Sequence, residues 1–322
     1  MLLLFIILLG LLFDYTNGFH DAANVVSTVI ATRVLAPLTA IVLAALLNLL
    51  GATQISGVAH TITTGLVAAE SASQLVVLCA LCGAIIWNIL TWYFGIPSSS
   101  SYALVGGLVG SAWLYAGKSA ILWGGVVYKV ILPMILSPLA GFLLGWLLMK
   151  LLYSLALNQR RAKLFSHLQI ASASLVALSH GFNDAQKSMA IITLGLFAAG
   201  WVVTTHIPFW VIAACALMMG LGTATGGVRI IRTVGYQITR LQPIQGFAAE
   251  SSASCVILAA SFLGMPASST HMIVGSITGV GAAKGIRQVA WTTGKKILLA
   301  WVFTLPGSAI LSALIFKVIN YL

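Results

Sequence analysis

The sequence predicts an all-α polytopic membrane protein, an inverted-topology repeat with two broken helices, two re-entrant-like hairpins and roughly 10–12 membrane segments. Three observations predict it. Hydrophobic residues make up 60% of the 322 and charged residues only 7%, with a mean hydropathy of +1.06, whereas a soluble domain carries about a quarter charged residues. Apolar runs of about 20 residues, enough for one crossing, recur along the chain. Two polar motifs each occur twice, once in either half.

The first helix is expected from Met1 to near Thr32, broken around Gly18. Its apolar start has no basic residue and no small-residue cleavage site, so it reads as part of a span rather than as a leader. A second helix occupies Leu35 to Val58, and the Thr-, Ser- and Gly-rich stretch from Ala59 to Ser73, with His60 and Glu70, reads as a loop. Leu75 to Phe94 forms the next helix and stops at Gly95-Ile96-Pro97. Four serines follow and open a short glycine-rich helix, Tyr102 to Ala116. A long segment from Ser119 to Leu152 carries Pro133 and Pro138 as expected kinks. The polar stretch that comes next divides the chain into a first repeat, 1–157, a basic cytoplasmic linker, 158–167, and a second repeat, 168–322, together one unit. The second half replays the first: a helix from Leu168 to Ala199 broken at Gly181, then Phe209 to Leu221, a basic loop, Ile244 to Leu263, and a glycine-rich helix after Pro266 that reaches Ala283.

The net charge of +11 does not point to nucleic acid, because the basic residues are scattered through short loops with no aromatic-interleaved face. With the N-terminus outside, twelve of the sixteen Lys and Arg fall on the inner side, as the positive-inside rule asks. The two halves then run in opposite senses, which is the plan of a transporter. The four cysteines lie in apolar helices and read as small buried hydrophobes.

The first repeated motif is Gly18-Phe19-His20-Asp21-Ala22-Ala23-Asn24, echoed by Gly181-Phe182-Asn183-Asp184-Ala185-Gln186-Lys187. It places two of only five acidic residues at equivalent points of apolar helices. A carboxylate in mid-membrane costs about 2.5–3.5 kcal/mol and marks function by default. The second motif is a proline followed by hydroxyls: Pro97 with Ser99, Ser100 and Ser101, and Pro266 with Ser268, Ser269 and Thr270. A helix start leaves N–H groups unpaired and is partly positive, so it suits an oxyanion. An anion beside two carboxylates needs a compensating positive charge. A proton, a bound Na⁺ or a divalent metal would supply it, with Asn24 and Asn183 suited to the cation and Lys187 as a fixed charge. Glu250, sixteen residues before Pro266, is expected to be buried, while Glu70 reads as a loop residue. His20, Tyr102 and His271 border the motifs as accessory candidates.

The duplicated Gly-Phe-(His/Asn)-Asp motif, the two Pro-(Ser/Ala)-Ser-Ser tips and the stretch Ile85-Ile86-Trp87-Asn88 through Pro97 together resemble the Pit-type inorganic phosphate transporters, bacterial members especially. The resemblance covers nearly the whole chain. It implies phosphate uptake across the cell membrane by symport with a cation, a homodimer, and phosphate or metal-phosphate as cargo. On the matching positions it implies that Asp21, Asn24, Asn183 and Asp184 serve the cation and the substrate, that Glu250 is the family's second-half glutamate and joins the cation-coupling set, and that Ser99, Ser100, Ser101, Ser268, Ser269 and Thr270 bind phosphate. Na⁺ at Asp21, Asn24, Asp184 and Glu250 is one implied metal set. His20 in place of the first motif's Asn, and Lys187 in place of the second motif's last Asn, lean the coupling ion toward H⁺. Sulfate, another tetrahedral anion, is the alternative cargo. An intramembrane phosphatase is the alternative of another class, and the symmetric repetition of both motifs speaks against it.

Overall fold

In a bilayer core no water is available to the backbone, so an apolar chain must pair its own N–H and C=O groups within helices. The computed structural model, which describes residues 2–54, 57–155, 162–204 and 206–321, is helical almost throughout. Its helices are α1 (Leu2–Ala31), α2 (Pro37–Ala52), α3 (Gly57–Thr64), α4 (Gln74–Tyr93), α5 (Ser100–Ala116), α6 (Trp123–Gly125) and α7 (Leu132–Ser154). There follow α8 (Ala162–Ala198), α9 (Phe209–Thr225), α10 (Val228–Tyr236), α11 (Pro243–Phe262), α12 (Ser269–Lys284) and α13 (Trp291–Tyr321). A π-helical stretch, Val126–Ile131, joins α6 to α7 just before Pro133, whose missing N–H makes a regular ladder impossible there.

The packing repeats. Helix α1 lies against α4, α9 and α10, and α8 lies in the same way against α11, α2 and α3. Helix α5 pairs with α13, and α12 with α7. As residue numbers rise along α1 they fall along its neighbour α8: Asp14 meets Ser188, Asp21 meets His180 and Thr32 meets Gln169. The two motif-bearing helices are therefore antiparallel. Helix α9 bends by 69° into α10, and α2 by 67° into α3.

Both motif helices run unbroken through Gly18 and Gly181, which corrects the expected breaks. The glycines serve close packing instead. A Cβ on Gly18 would lie 2.4 Å from the carbonyl of Met219, and one on Gly181 would lie 2.2 Å from that of Asn48. Small residues let membrane helices approach to backbone contact, here α1 to α9 and α8 to α2. Most of α3, which starts at Gly57, falls in the expected loop from Ala59 to Ser73, and Ser73 is the N-cap of α4, accepting from the backbone N–H of Val76. The expected basic loop holds α10, amphipathic with Ile230, Ile231 and Val234 buried. Of the expected linker, residues 158–161 lie outside the described residues, and 162–167 open α8.

Among the described residues, α1, α4, α6 with α7, and α13 are long and apolar enough to cross a membrane, which makes four spans, or six with the two bent pairs. The ten or more segments expected from the sequence are reached only by also counting α5, α8, α11 and α12. Helices α5 and α12 are 17 and 16 residues long; α8 and α11 bury polar side chains through much of their length. Exposed leucines along α7, Leu136, Leu139, Leu143 and Leu147, form a stripe suited to lipid.

Candidate functional site

The polar centre lies where α1 and α8 cross the starts of α5 and α12. Each Pro turn is buried, and Ser99 and Ser268 cap their own helices, accepting from the backbone N–H groups of Tyr102 and His271. Their hydroxyls are thereby turned inward to the helix, and the next two positions of each tip face the motif helices. Ser100 Oγ lies 3.1 Å from Asp21 Oδ2 and 2.5 Å from Asn17 Oδ1, with its one proton shared between these two acceptors. Ser269 Oγ donates to Asp184 Oδ2 at 3.0 Å. Thus each aspartate is held by the first free hydroxyl of the tip from its own half.

The second hydroxyls cross over. Asn24 Nδ2 donates to Thr270 Oγ1 at 2.9 Å, and Lys187 Nζ donates to Ser101 Oγ. Asn24 and Lys187 close the two copies of the motif, so the same crossed contact is made once by an amide and once by an ammonium. Lys187 also lies 2.5 Å from Asp184 Oδ1 and donates to the carbonyl of Ala267 at 3.1 Å. It is fully buried and does not reach for the membrane surface. Thr270 Oγ1 donates in addition to Asp21 Oδ1 at 3.2 Å, and Ser101 Oγ to the Ala267 carbonyl at 3.4 Å, so the two tips touch.

His20 and His180 complete the polar set around the two aspartates. His20 Nδ1 lies 3.0 Å from Asp21 Oδ1, and its Nε2 lies 3.2 Å from Thr91 Oγ1. His180 Nε2 lies 3.2 Å from Asp184 and 4.0 Å from Asp21, bridging the halves, while its Nδ1 faces Asn48 Oδ1 at 3.3 Å. Asp21, His180 and Asp184 present ligand atoms within 4.8 Å of one another, a geometry able to hold a cation. Every one of these side chains is buried, so the centre is closed to both sides.

The expected set is only partly assembled. Asp21, Asn24, Asp184, Lys187, Ser100, Ser101, Ser269 and Thr270 come together. Asn183 turns away to donate to Ser261 Oγ at 2.6 Å on α11. Tyr102 and His271 pack edge to face behind the tips, with ring centroids 5.1 Å apart, and His271 stacks on Trp301. Glu250 does not join Asp21, Asn24 and Asp184 in one shell: four helical turns before the tip, it accepts from Thr28 Oγ1 at 2.5 Å, from Gln169 Nε2 at 3.1 Å and from Ser172 Oγ. Asn17 and His180 were not singled out from the sequence. They occupy one equivalent position of the two motifs, one residue before Gly18 and Gly181 and a helical turn before each aspartate, and that register was the available signal.

Two like halves that meet at a sealed, charged centre, each bringing a helix start and its hydroxyls, define a membrane transporter for a small ionic solute. The comparisons with known proteins make this specific. The profile described as "Phosphate transporter family" matches residues 17–312. The chain is 44% identical over 326 residues to the "Probable low-affinity inorganic phosphate transporter" of Bacillus subtilis, covering 99% of this chain and 97% of that one. It is 44% identical to a protein of the same description from Rhizobium meliloti, with 97% and 95% covered. A solved structure titled "The sodium-dependent phosphate transporter" matches over 100% of this chain and 99% of its own with a TM-score of 0.90 and 24% identity, which shows a common fold. The chain belongs to the phosphate transporter family, a family of transporters and not of enzymes.

Proposed function

We propose that this chain imports inorganic phosphate across the cell membrane by symport with a cation, H⁺ before Na⁺, through alternating access between two inverted halves, 1–157 and 168–322. The observation that carries the choice of ion is Lys187. At the position where the first motif places the amide of Asn24, the second holds an ammonium against Asp184 and the opposite tip. A fixed ammonium neutralises one carboxylate without a bound metal. Asp21, between His20, His180 and two hydroxyls, remains as the group to carry a proton. The relative whose title names sodium supports the competing ion, and the Asp21, His180 and Asp184 cluster offers it a place.

Phosphate enters between the starts of α5 and α12. Ser100, Ser101, Ser269 and Thr270 release the carboxylates and Lys187 to donate to the phosphate oxygens, with N–H groups of both helix starts behind them. The burial of every one of these groups supports a cycle in which one side opens at a time. The antiparallel course of α1 and α8 supports the inverted repeat. The same reading takes free or metal-complexed phosphate as cargo in a homodimer whose N-terminus faces outside. At neutral pH phosphate exchanges a proton with a carboxylate far more readily than sulfate does, which favours phosphate at a site with two aspartates.

The test is uptake of labelled phosphate into proteoliposomes with Na⁺ and pH gradients imposed separately and sulfate added as competitor. Uptake driven by the pH gradient and indifferent to sulfate is the expected result. Uptake that follows only the Na⁺ gradient overturns the choice of ion, and efficient competition by sulfate overturns the choice of cargo.

A further inference from the structure

Asp14 is a buried carboxylate that the reading above leaves unused. It sits on α1 two turns before Asp21, wholly inside the protein. Its Oδ1 accepts from Ser188 Oγ at 2.6 Å, and its Oδ2 has no hydrogen-bond partner. The thiol of Cys215 on α9 faces the same carboxylate, and His180, Asp184 and Lys187 of α8 are the charged groups that act on it. Phe13, Ile191, Ile192 and Cys215 belong to one apolar cluster of the core around this level. An ionised carboxylate with one hydrogen bond and an orphan oxygen is costly in such surroundings; a protonated one is not. A metal ion would want several oxygen ligands, and the site offers one hydroxyl and one thiol besides the carboxylate.

The repeat makes the position more informative. Aligned on Gly18 and Gly181, Asp14 corresponds to Ala177 and Ser188 to Val25, both buried and apolar. The central residues are duplicated, whereas this pair is not. On the opposite flank the Glu250, Thr28, Gln169 and Ser172 cluster is likewise single, with Leu81, Ile191, Ile6 and Leu9 at the equivalent places. Asp14, Asn17, Asp21, Asn24 and Thr28 recur at spacings of three and four, so one face of α1 is polar over about 21 Å of a hydrocarbon core of about 30 Å. Only the middle of that stripe is needed to hold the solute.

We propose that Asp14 is a proton station, the side chain through which the coupling proton passes between the central carboxylates and the membrane face where α1 begins. The Asp14 carboxyl takes its proton from that side. When the centre opens and water reaches it, the O–H bond of Asp14 breaks and the proton moves through water to an oxygen of the phosphate held there, forming an O–H bond on it and leaving Asp14 ionised until it is reloaded. Intramembrane carboxylates in series are the usual material of proton relays. The proposal rests on the proton-coupled reading given above.

The experiment uses the full chain in proteoliposomes with labelled inorganic phosphate and an internal pH dye. It compares phosphate-for-phosphate exchange without any gradient with net uptake driven by an imposed pH gradient. Asp14→Asn should keep exchange at the wild-type rate, lose gradient-driven uptake by about a hundredfold and lose the proton signal that accompanies it. Asp14→Glu should recover both. Should Asp14→Asn fail to accumulate in the membrane, Ser188→Ala, which leaves the carboxyl in place, should shift the pH profile of driven uptake without changing exchange. Driven uptake and proton flux equal to wild type in Asp14→Asn, or an unshifted profile in Ser188→Ala, overturns the proposal. If the wild-type protein itself exchanges phosphate but ignores the pH gradient, the proton-coupled reading fails and this inference falls with it. If the wild type is coupled and the variant equally so, only the role of Asp14 falls.

Discussion

Replacing Lys187 by Asn tests whether an ammonium has taken the place of a bound cation. The side chain lies 2.5 Å from Asp184 Oδ1, donates to Ser101 Oγ and reaches the Ala267 carbonyl at 3.1 Å, all in the closed interior. Removing one partner of a buried ion pair costs about 3–5 kcal/mol, chiefly because the other charge is left without compensation. The lower end, about 3 kcal/mol, is expected here, since His180 at 3.2 Å and Ser269 at 3.0 Å still hold Asp184. The space left behind is lined by the oxygens of Asp184, Ser101 and Ala267, a set that suits Na⁺. Sodium should therefore stabilise Lys187→Asn by about 2.7 kcal/mol once its concentration is about a hundredfold above its dissociation constant, with choline chloride as the control for ionic strength. The assay is thermal unfolding of purified protein across a sodium titration, run beside uptake in proteoliposomes. The wild-type midpoint should be insensitive to sodium. The variant should start lower, climb with sodium and exchange pH-driven for sodium-driven uptake. A variant that unfolds at the wild-type midpoint, with no response to sodium and unchanged ion dependence of transport, refutes the reasoning.

Asp21→Asn and Asp184→Asn should each abolish gradient-driven phosphate uptake while the protein still reaches the membrane. Of the two, Asp184→Asn should lower the unfolding midpoint more, because it strands the ammonium of Lys187, and adding Lys187→Met should restore stability but not transport. Ser100→Ala or Ser269→Ala should weaken phosphate binding by about 1–3 kcal/mol, read from a binding titration. Ser73→Ala removes only the N-cap of α4 and should cost about 1 kcal/mol of stability with binding intact; equal binding losses at all three serines would mean that the tips are merely capped helix ends. Gly18→Ala and Gly181→Ala should destabilise by about 1–3 kcal/mol through forced separation of packed helices. Gly294→Ala, inside α13 where a Cβ meets nothing within 4 Å, should stabilise by up to about 1 kcal/mol, and similar midpoints for all three would remove the packing argument.

The membrane class, the duplicated motif and the two Pro-hydroxyl tips were legible in the sequence because each is written in neighbouring residues. Hydropathy over some twenty positions reports burial in lipid, and a proline followed by serines reports a helix start wherever it occurs. Asp21, Asp184 and Lys187 stood out for the same reason, since a charge in an apolar helix is conspicuous without knowledge of its partner. The breaks expected at Gly18 and Gly181 are absent: a glycine inside a helix can break it or admit a neighbour, and the backbone of Met219 or Asn48 that decides the matter is supplied by another helix. The crossed contacts, Asn24 with Thr270 and Lys187 with Ser101, join residues far apart in the chain, as does His180 with Asp21. Glu250 shows the same limit from the other side, buried as expected but tied to Thr28, Gln169 and Ser172 rather than to the central aspartates. Sequence alone marked Asp21, Asp184, Lys187 and Glu250 as buried charges and left Asp14 and His180 unmarked; which of them share one site was decided by the tertiary structure, because hydrogen bonds and ion pairs form only between atoms that helix packing brings within about 3 Å.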